Sequence, residues 1–202
     1  MRFGRVLLAA VAAGSVCASA AMASAASSYV LRPAGKHVSV SVTAKTSFVV
    51  NAKFDGQKAS MRCKVFASTG VTPHAGLVLK IKPPKFSACT DSLGGKDTIT
   101  TNSEHGSWKL SFAAPRAGKI AARLGIPEKG ARLGSTFDPY CVIVAAPKGP
   151  TSPRGTYNNA GKLTFKRADF AAAPTTKREC LLTDASLTGS LTLKPNVTVV
   201  KD

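Results

Sequence analysis

The chain has 202 residues, 28 of them Lys or Arg and 10 Asp or Glu, for a formal net charge of +18. That length holds one well-buried core and does not require a second domain. So few acidic residues leave little material for carboxylate chemistry or Asp-rich calcium loops, while the charge draws the chain towards anionic polymers and surfaces.

Arg2 and Arg5 precede an apolar stretch from Val6 to Val16 and then a run of small residues. This is the three-part layout of a cleavable secretory signal. The stretch is far shorter than the ~20 residues that span hydrocarbon, so a membrane anchor is not expected. Small-x-small cleavage sites occur at Ala18-Ser19-Ala20, Ala21-Met22-Ala23 and Ala23-Ser24-Ala25. The last divides the chain into a signal peptide, 1–25, and a single domain, 26–202. Cys17 follows Gly14-Ser15-Val16, which lacks the pattern of a lipid-attachment site, and is expected to leave with the signal. The mature protein is then secreted, and losing Arg2 and Arg5 lowers its charge by two, from +18 to +16.

Four cysteines follow the signal: Cys63, Cys89, Cys141 and Cys180. In an oxidising compartment an even number reads as two disulfides, with three connectivities open. The intervals favour Cys63 with Cys89 and Cys141 with Cys180. No pair has the close spacing of a zinc site.

Apolar residues recur with period two, the mark of half-buried antiparallel strands. The first such segment is His37-Val38-Ser39-Val40-Ser41-Val42-Thr43. Cys63 alternates in phase with Met61 and Val65, with Arg62 and Lys64 on the other face, so the cysteine is expected to point inward. Leu79 and Ile81 flank Lys80, with Lys82 beyond, and Trp108, Leu110 and Phe112 alternate with Lys109 and Ser111. Tyr140 to Ala146 is apolar on both faces and predicts a central strand carrying Cys141. Ala168 to Ala173 has helical propensity for at most one turn before Pro174. Leu187, Gly189, Leu191 and Leu193 form the last clear alternation. Turn clusters at Asp55-Gly56, Gly94-Gly95, His105-Gly106, Pro127 to Gly130, Lys148 to Gly155 and Asn158 to Gly161 separate the segments. The result is an all-β chain, an antiparallel sandwich or barrel of about ten to twelve short strands.

From Cys63 onward the order of landmarks resembles a family of uncharacterised secreted actinomycete proteins. The matching residues are Cys63, Phe86-Ser87-Ala88-Cys89-Thr90, Trp108-Lys109-Leu110, Gly125-Ile126, Cys141, Gly155 to Leu163, and Cys180. The resemblance covers roughly residues 59–200. It implies sequential disulfides and an all-β fold, and it carries no activity; this chain departs from the pattern in its strong basic charge.

Catalytic constellations are missing from the sequence. His105 lies two residues before Ser107, with Asp91 and Asp97 upstream, but no strained Gly-x-Ser-x-Gly elbow accompanies them. His37, His74 and His105 are too scattered for a metal site, so no catalytic residue, metal or cofactor is expected. Trp108 reads as a core residue rather than a stacking platform.

Charge is the feature that stands out. Arg62, Lys64, Lys80, Lys82 and Lys109 occupy outward positions of predicted strands and form a candidate anion-binding face. The competing reading is a solvated surface on which lysine blunts sheet edges. Specific nucleic-acid binding would need aromatic rings among the cations, which this face lacks. The expected function is that of a non-enzymatic secreted binding or structural protein, partnered by an anionic cell-envelope polymer or by a secreted or surface protein. The alternatives are an inhibitor or toxin-like effector presenting the Lys148 to Gly155 loop, and a barrel holding an apolar ligand.

Overall fold

A computed structural model describes residues 28–54, 57–92, 94–136, 140–175 and 182–202. The predicted signal, its cleavage site, Cys180 and the Asp55-Gly56 turn lie outside the described residues. All regular structure among those residues is strand. The strands are β1 (Tyr29–Arg32), β2 (His37–Val42), β3 (Phe48–Phe54), β4 (Gln57–Val71), β5 (Val78–Ile81), β6 (Lys85–Asp91), β7 (Lys96–Thr101) and β8 (Trp108–Phe112). The second half contains β9 (Ile120–Gly125), β10 (Ala131–Ser135), β11 (Ile143–Ala145), β12 (Arg154–Asn158), β13 (Lys162–Asp169), β14 (Ala172–Pro174), β15 (Leu182–Lys194) and β16 (Thr198–Lys201). Sixteen strands exceed the ten to twelve expected, because irregularities split the ladders and several strands have only three or four residues.

Eight strands close into an antiparallel barrel in the order β2, β4, β5, β8, β9, β12, β13 and β15, with β15 returning to β2. The sandwich-or-barrel alternative thus resolves as a barrel with additional strands. Period-two patterning explains the barrel: Trp108, Leu110 and Phe112 point inward from β8 while Lys109 faces out. Leu79, Leu124, Leu163, Leu191 and Leu193 join Trp108 in the interior, each at most 1% exposed. Burying each such side chain stabilises the fold by roughly 1.5–3 kcal/mol. The Trp108 indole donates its N–H to the carbonyl of Asn102 at 2.8 Å, so this ring is buried and satisfied.

The barrel closes through a narrow seam. β4 and β5 meet at Gly70 opposite Ile81, reinforced by Lys82 N–H to the Thr69 carbonyl at 2.8 Å and the Ser68 hydroxyl to the Lys82 carbonyl at 2.6 Å. A Cβ on Gly70 would lie 2.3 Å from the Lys80 carbonyl oxygen, so the two backbones approach this closely only with glycine there.

β2 and β3 run in line, both flanked by β4 and β15. Between them the chain turns at Lys45, in the left-handed region at φ 62°. Irregularities recur on the neighbouring strands: β13 bulges between Phe165 and Ala168, and Ala88 and Arg167 have positive φ. Gly189 at φ 144° fits against Ser47, where a Cβ would meet a carbonyl at 2.7 Å. On β4 the burial phase slips here, for Cys63 and Phe66 are buried while Lys64 and Val65 are exposed. The expectation that Val65 points inward with Cys63 is therefore corrected. Beyond this line β3, the first half of β4, β6, β7, β10, β11 and β14 extend the sheet.

Cys63 and Cys89 face each other across β4 and β6 and are joined by a disulfide in the buried interior. Cys141 is not a free thiol, and its expected partner, Cys180, lies outside the described residues. The central strand predicted over Tyr140–Ala146 is instead the three-residue β11, lying between β10 and β14 near the sheet's end. Tyr140 is exposed and Cys141 precedes the strand, half-buried. The apolar run there covers a sheet margin rather than filling a centre. The predicted helical turn at Ala168–Ala173 is likewise extended. The Phe170 N–H bonds to the Ala185 carbonyl and the Ala146 N–H to the Ala171 carbonyl, so sheet partners override alanine's helical preference.

A separate two-stranded sheet pairs β1 with β16, Tyr29 opposite Lys201. Leu31, Val197 and Val199 from this ribbon are buried, and the Tyr157 hydroxyl donates to the Val197 carbonyl. Burial pushes the Tyr157 phenol up to about 12, which the hydrogen bond only partly offsets.

Candidate anion-binding face

Lys80 and Lys109 sit directly opposite each other on β5 and β8. Their neighbours Leu79, Ile81, Trp108 and Leu110 point into the barrel, so both lysines point out. Lys82 follows two positions on and is also exposed. Lys109 does not extend straight into solvent. A Cβ placed on Gly125, its partner on β9, would lie 2.6 Å from Lys109 Cγ and 3.0 Å from Cε. The lysine stem therefore lies along the sheet over Gly125, directing its ammonium across β9.

The next outward position on β9 is Arg123, which faces Arg154 on β12. Both are exposed, and the sequence analysis did not single them out. The alternation Ile120, Ala122, Leu124 marks Arg123 as outward. That β9 lies between β8 and β12, bringing this arginine beside Lys109, is a fact of topology that no local pattern contains.

Arg62 and Lys64 belong elsewhere. Arg62 faces Val49 and Thr90 in the extended part of the sheet, eight residues before Gly70, where β4 meets β5. At ~3.3 Å per residue that is roughly 26 Å along the strand. Lys64 stands at the phase slip. Of the five predicted positions, Lys80, Lys82 and Lys109 come together and Arg62 and Lys64 do not join them.

Among the described residues no carboxylate forms an ion pair with a cation of this face. Ion pairs among the described residues join Arg32 to Asp202, Lys53 to Asp184 and Lys129 to Glu128. Like charges directly opposite on antiparallel strands disfavour the sheet. Here two such pairs, Lys80 with Lys109 and Arg123 with Arg154, lie on adjacent strands.

Two other polar features stand apart. A groove of about 540 Å³ lined by Asn51, Lys53, Lys58, Arg167, Asp169 and Asp184 opens on the extended sheet, bridged by the Lys53–Asp184 pair at 3.3 Å. Asp91 and Asp97 lie near Ser135, not with His105 or Ser107; His105 instead bridges to Glu128. The Ser135 hydroxyl donates to Asp91 at 2.6 Å, as does the Gly95 N–H at 2.7 Å. Asp97 is 7% exposed, and among the described residues neither of its carboxylate oxygens has a hydrogen-bond partner. Burial lifts its pKa from 3.8 to about 6; nearby Ser135 opposes the shift and the Asp91 charge adds to it. No group of three or more His, Cys, Asp or Glu among the described residues is placed to hold a metal ion.

The Lys148 to Gly155 loop is bonded back to the barrel. Thr151 and Ile126 exchange backbone hydrogen bonds at 2.9 and 3.0 Å, and the Leu124 N–H reaches the Pro153 carbonyl at 3.1 Å. Trp108 and the leucines around it line the barrel's interior.

Fold and face together define a disulfide-bonded, strongly basic β-barrel protein with a cationic stripe across β5, β8, β9 and β12. No family model, curated protein or solved structure matches the chain.

Proposed function

We propose that this chain is an exported, non-enzymatic binding protein whose barrel displays a cationic stripe to an anionic polymer of the cell envelope. The observation that carries the reading is the pair of like-charged cross-strand contacts, Lys80 with Lys109 and Arg123 with Arg154, with no carboxylate pairing among the described residues. A sheet that only needed solubility gains nothing by stacking cations opposite one another, because scattered lysines protect edges equally well. A polyanion laid across the strands removes the repulsion and adds attraction. The layout of the first thirty residues supports export, and a second bridge from Cys141 to Cys180 would fit the same compartment.

The test is co-sedimentation with purified anionic wall polymer at low and high salt. Binding should be strong near 20 mM salt and collapse near 500 mM, because screening shortens from roughly 20 Å to about 4 Å over that range. Lys80→Glu/Lys109→Glu should weaken low-salt binding by about tenfold or more, whereas Arg62→Glu should change it less than about twofold. No sedimentation at low salt, or equal losses from the two variants, would sink the proposal.

A further inference from the structure

The geometry points to a phosphodiester-linked chain of an acyclic polyol as the class of polymer this stripe takes, an inference that rests on the binding role just proposed. Three observations carry it. First, the cations come in facing pairs. Lys80 faces Lys109 and Arg123 faces Arg154, with Cβ atoms about 5 Å apart within each pair. The Arg123–Arg154 pair can grip the two diverging non-bridging oxygens of a tetrahedral phosphodiester from both sides, and the Lys109 ammonium, directed across β9, lies on the path between that pair and Lys80. An arginine fork is also well matched to phosphate.

Second, the pairs repeat along a path. Arg123 is displaced from Lys109 by one strand and by two residues along β9 from Gly125, or roughly 8 Å diagonally at ~4.8 Å per strand and ~3.3 Å per residue. The path therefore offers successive grips to a chain whose charges lie in its backbone.

Third, among the described residues no aromatic ring occupies an outward position on the track. Its outward positions between the cations are Ser111, Ala121, Gly125 and Thr156, with the exposed Val78 facing Ser111 from the start of β5, and the Lys109 stem lies down over Gly125. Nucleic-acid bases are held by stacking on aromatic side chains. A surface of small residues fits a slender acyclic chain better than one bearing bases.

The experiment is titration of the intact protein with three polymers of matched length and charge, poly(glycerol phosphate), polygalacturonate and a single-stranded oligonucleotide, together with phosphatidylglycerol vesicles. Poly(glycerol phosphate) should bind about tenfold tighter than polygalacturonate, whose sugar rings find no aromatic platform among the described residues of the stripe. The charge-conserving Arg123→Lys/Arg154→Lys variant should weaken poly(glycerol phosphate) binding about threefold, because lysine lacks the fork that holds both oxygens. Equal binding of the two polymers, poly(glycerol phosphate) binding that the lysine replacements leave unmoved, or tighter binding of the oligonucleotide or vesicles would each overturn the inference. Failure of every polyanion to bind would overturn the proposed function itself.

Discussion

Asp97 is a carboxylate held where its charge has no partner, and the consequence is a stability that depends on pH. Its ordinary pKa of 3.8 is lifted to about 6 in the folded chain, so folding favours the protonated form. Between those values the unfolded chain releases the proton while the folded chain keeps it, and above about pH 6 the folded chain must ionise a buried group. The group therefore contributes its full share to stability below pH 3.8, loses it as pH rises, and leaves the fold about 3 kcal/mol worse off at pH 8. Replacing Asp97 with Asn should raise Tm at pH 8 and leave it nearly unchanged at pH 4, as read by thermal unfolding across that range. An unchanged Tm at both values would mean that Asp97 is solvated in the native state. The sequence offered Asp91 and Asp97 only as distant companions to His105. Their meeting with Ser135 depends on β7 lying between β6 and β10, a non-local pairing.

At the level of strands, alternation was a dependable guide wherever one face packs on the core and the other meets water. His37–Val42, Trp108–Phe112 and the Leu187–Leu193 segment all fold as their patterns require. It misled where a strand changes face part-way. β4 buries Cys63 and then Phe66, and the slip is imposed by the break between β2 and β3 on the neighbouring ladder. The candidate site was legible in part for the same reason. Outwardness is local, so Lys80, Lys82 and Lys109 could be read; adjacency is not, so Arg123 and Arg154 were missed, and Arg62 and Lys64 were grouped with lysines they do not meet. Gly125 offers a test of the site at this scale. Its substitution by Ala places a Cβ 2.6 Å from Lys109 Cγ, part of a flexible side chain that can move. Gly125→Ala should keep Tm within about 3 °C of the parent while weakening polyanion binding roughly threefold by lifting the ammonium off the stripe. Unaltered affinity would show that the position of Lys109 over Gly125 is incidental.

Over the whole molecule, the disulfide and the barrel seam act on the same segment. Cys63 and Cys89 are 26 residues apart, and the loop they close contains β5, which completes the barrel and carries Lys80, with Lys82 just beyond it. Chain-entropy arguments give such a crosslink about 3.5 kcal/mol. The Cys63→Ala/Cys89→Ala variant should lose that much in denaturant unfolding. Amides of β5 should then show the largest gain in hydrogen exchange, since only the narrow Gly70–Ile81 contact joins that strand to β4.

The β1–β16 ribbon and the β2–β15 ladder join segments from opposite ends of the described chain. The barrel therefore lacks a stave until β15 is available, and the ribbon cannot form until β16 has emerged. Such pairings close very long loops, and folding that depends on them is slow. A chain passed end-first through a narrow channel could close this barrel only once β15 and β2 were on the same side of it.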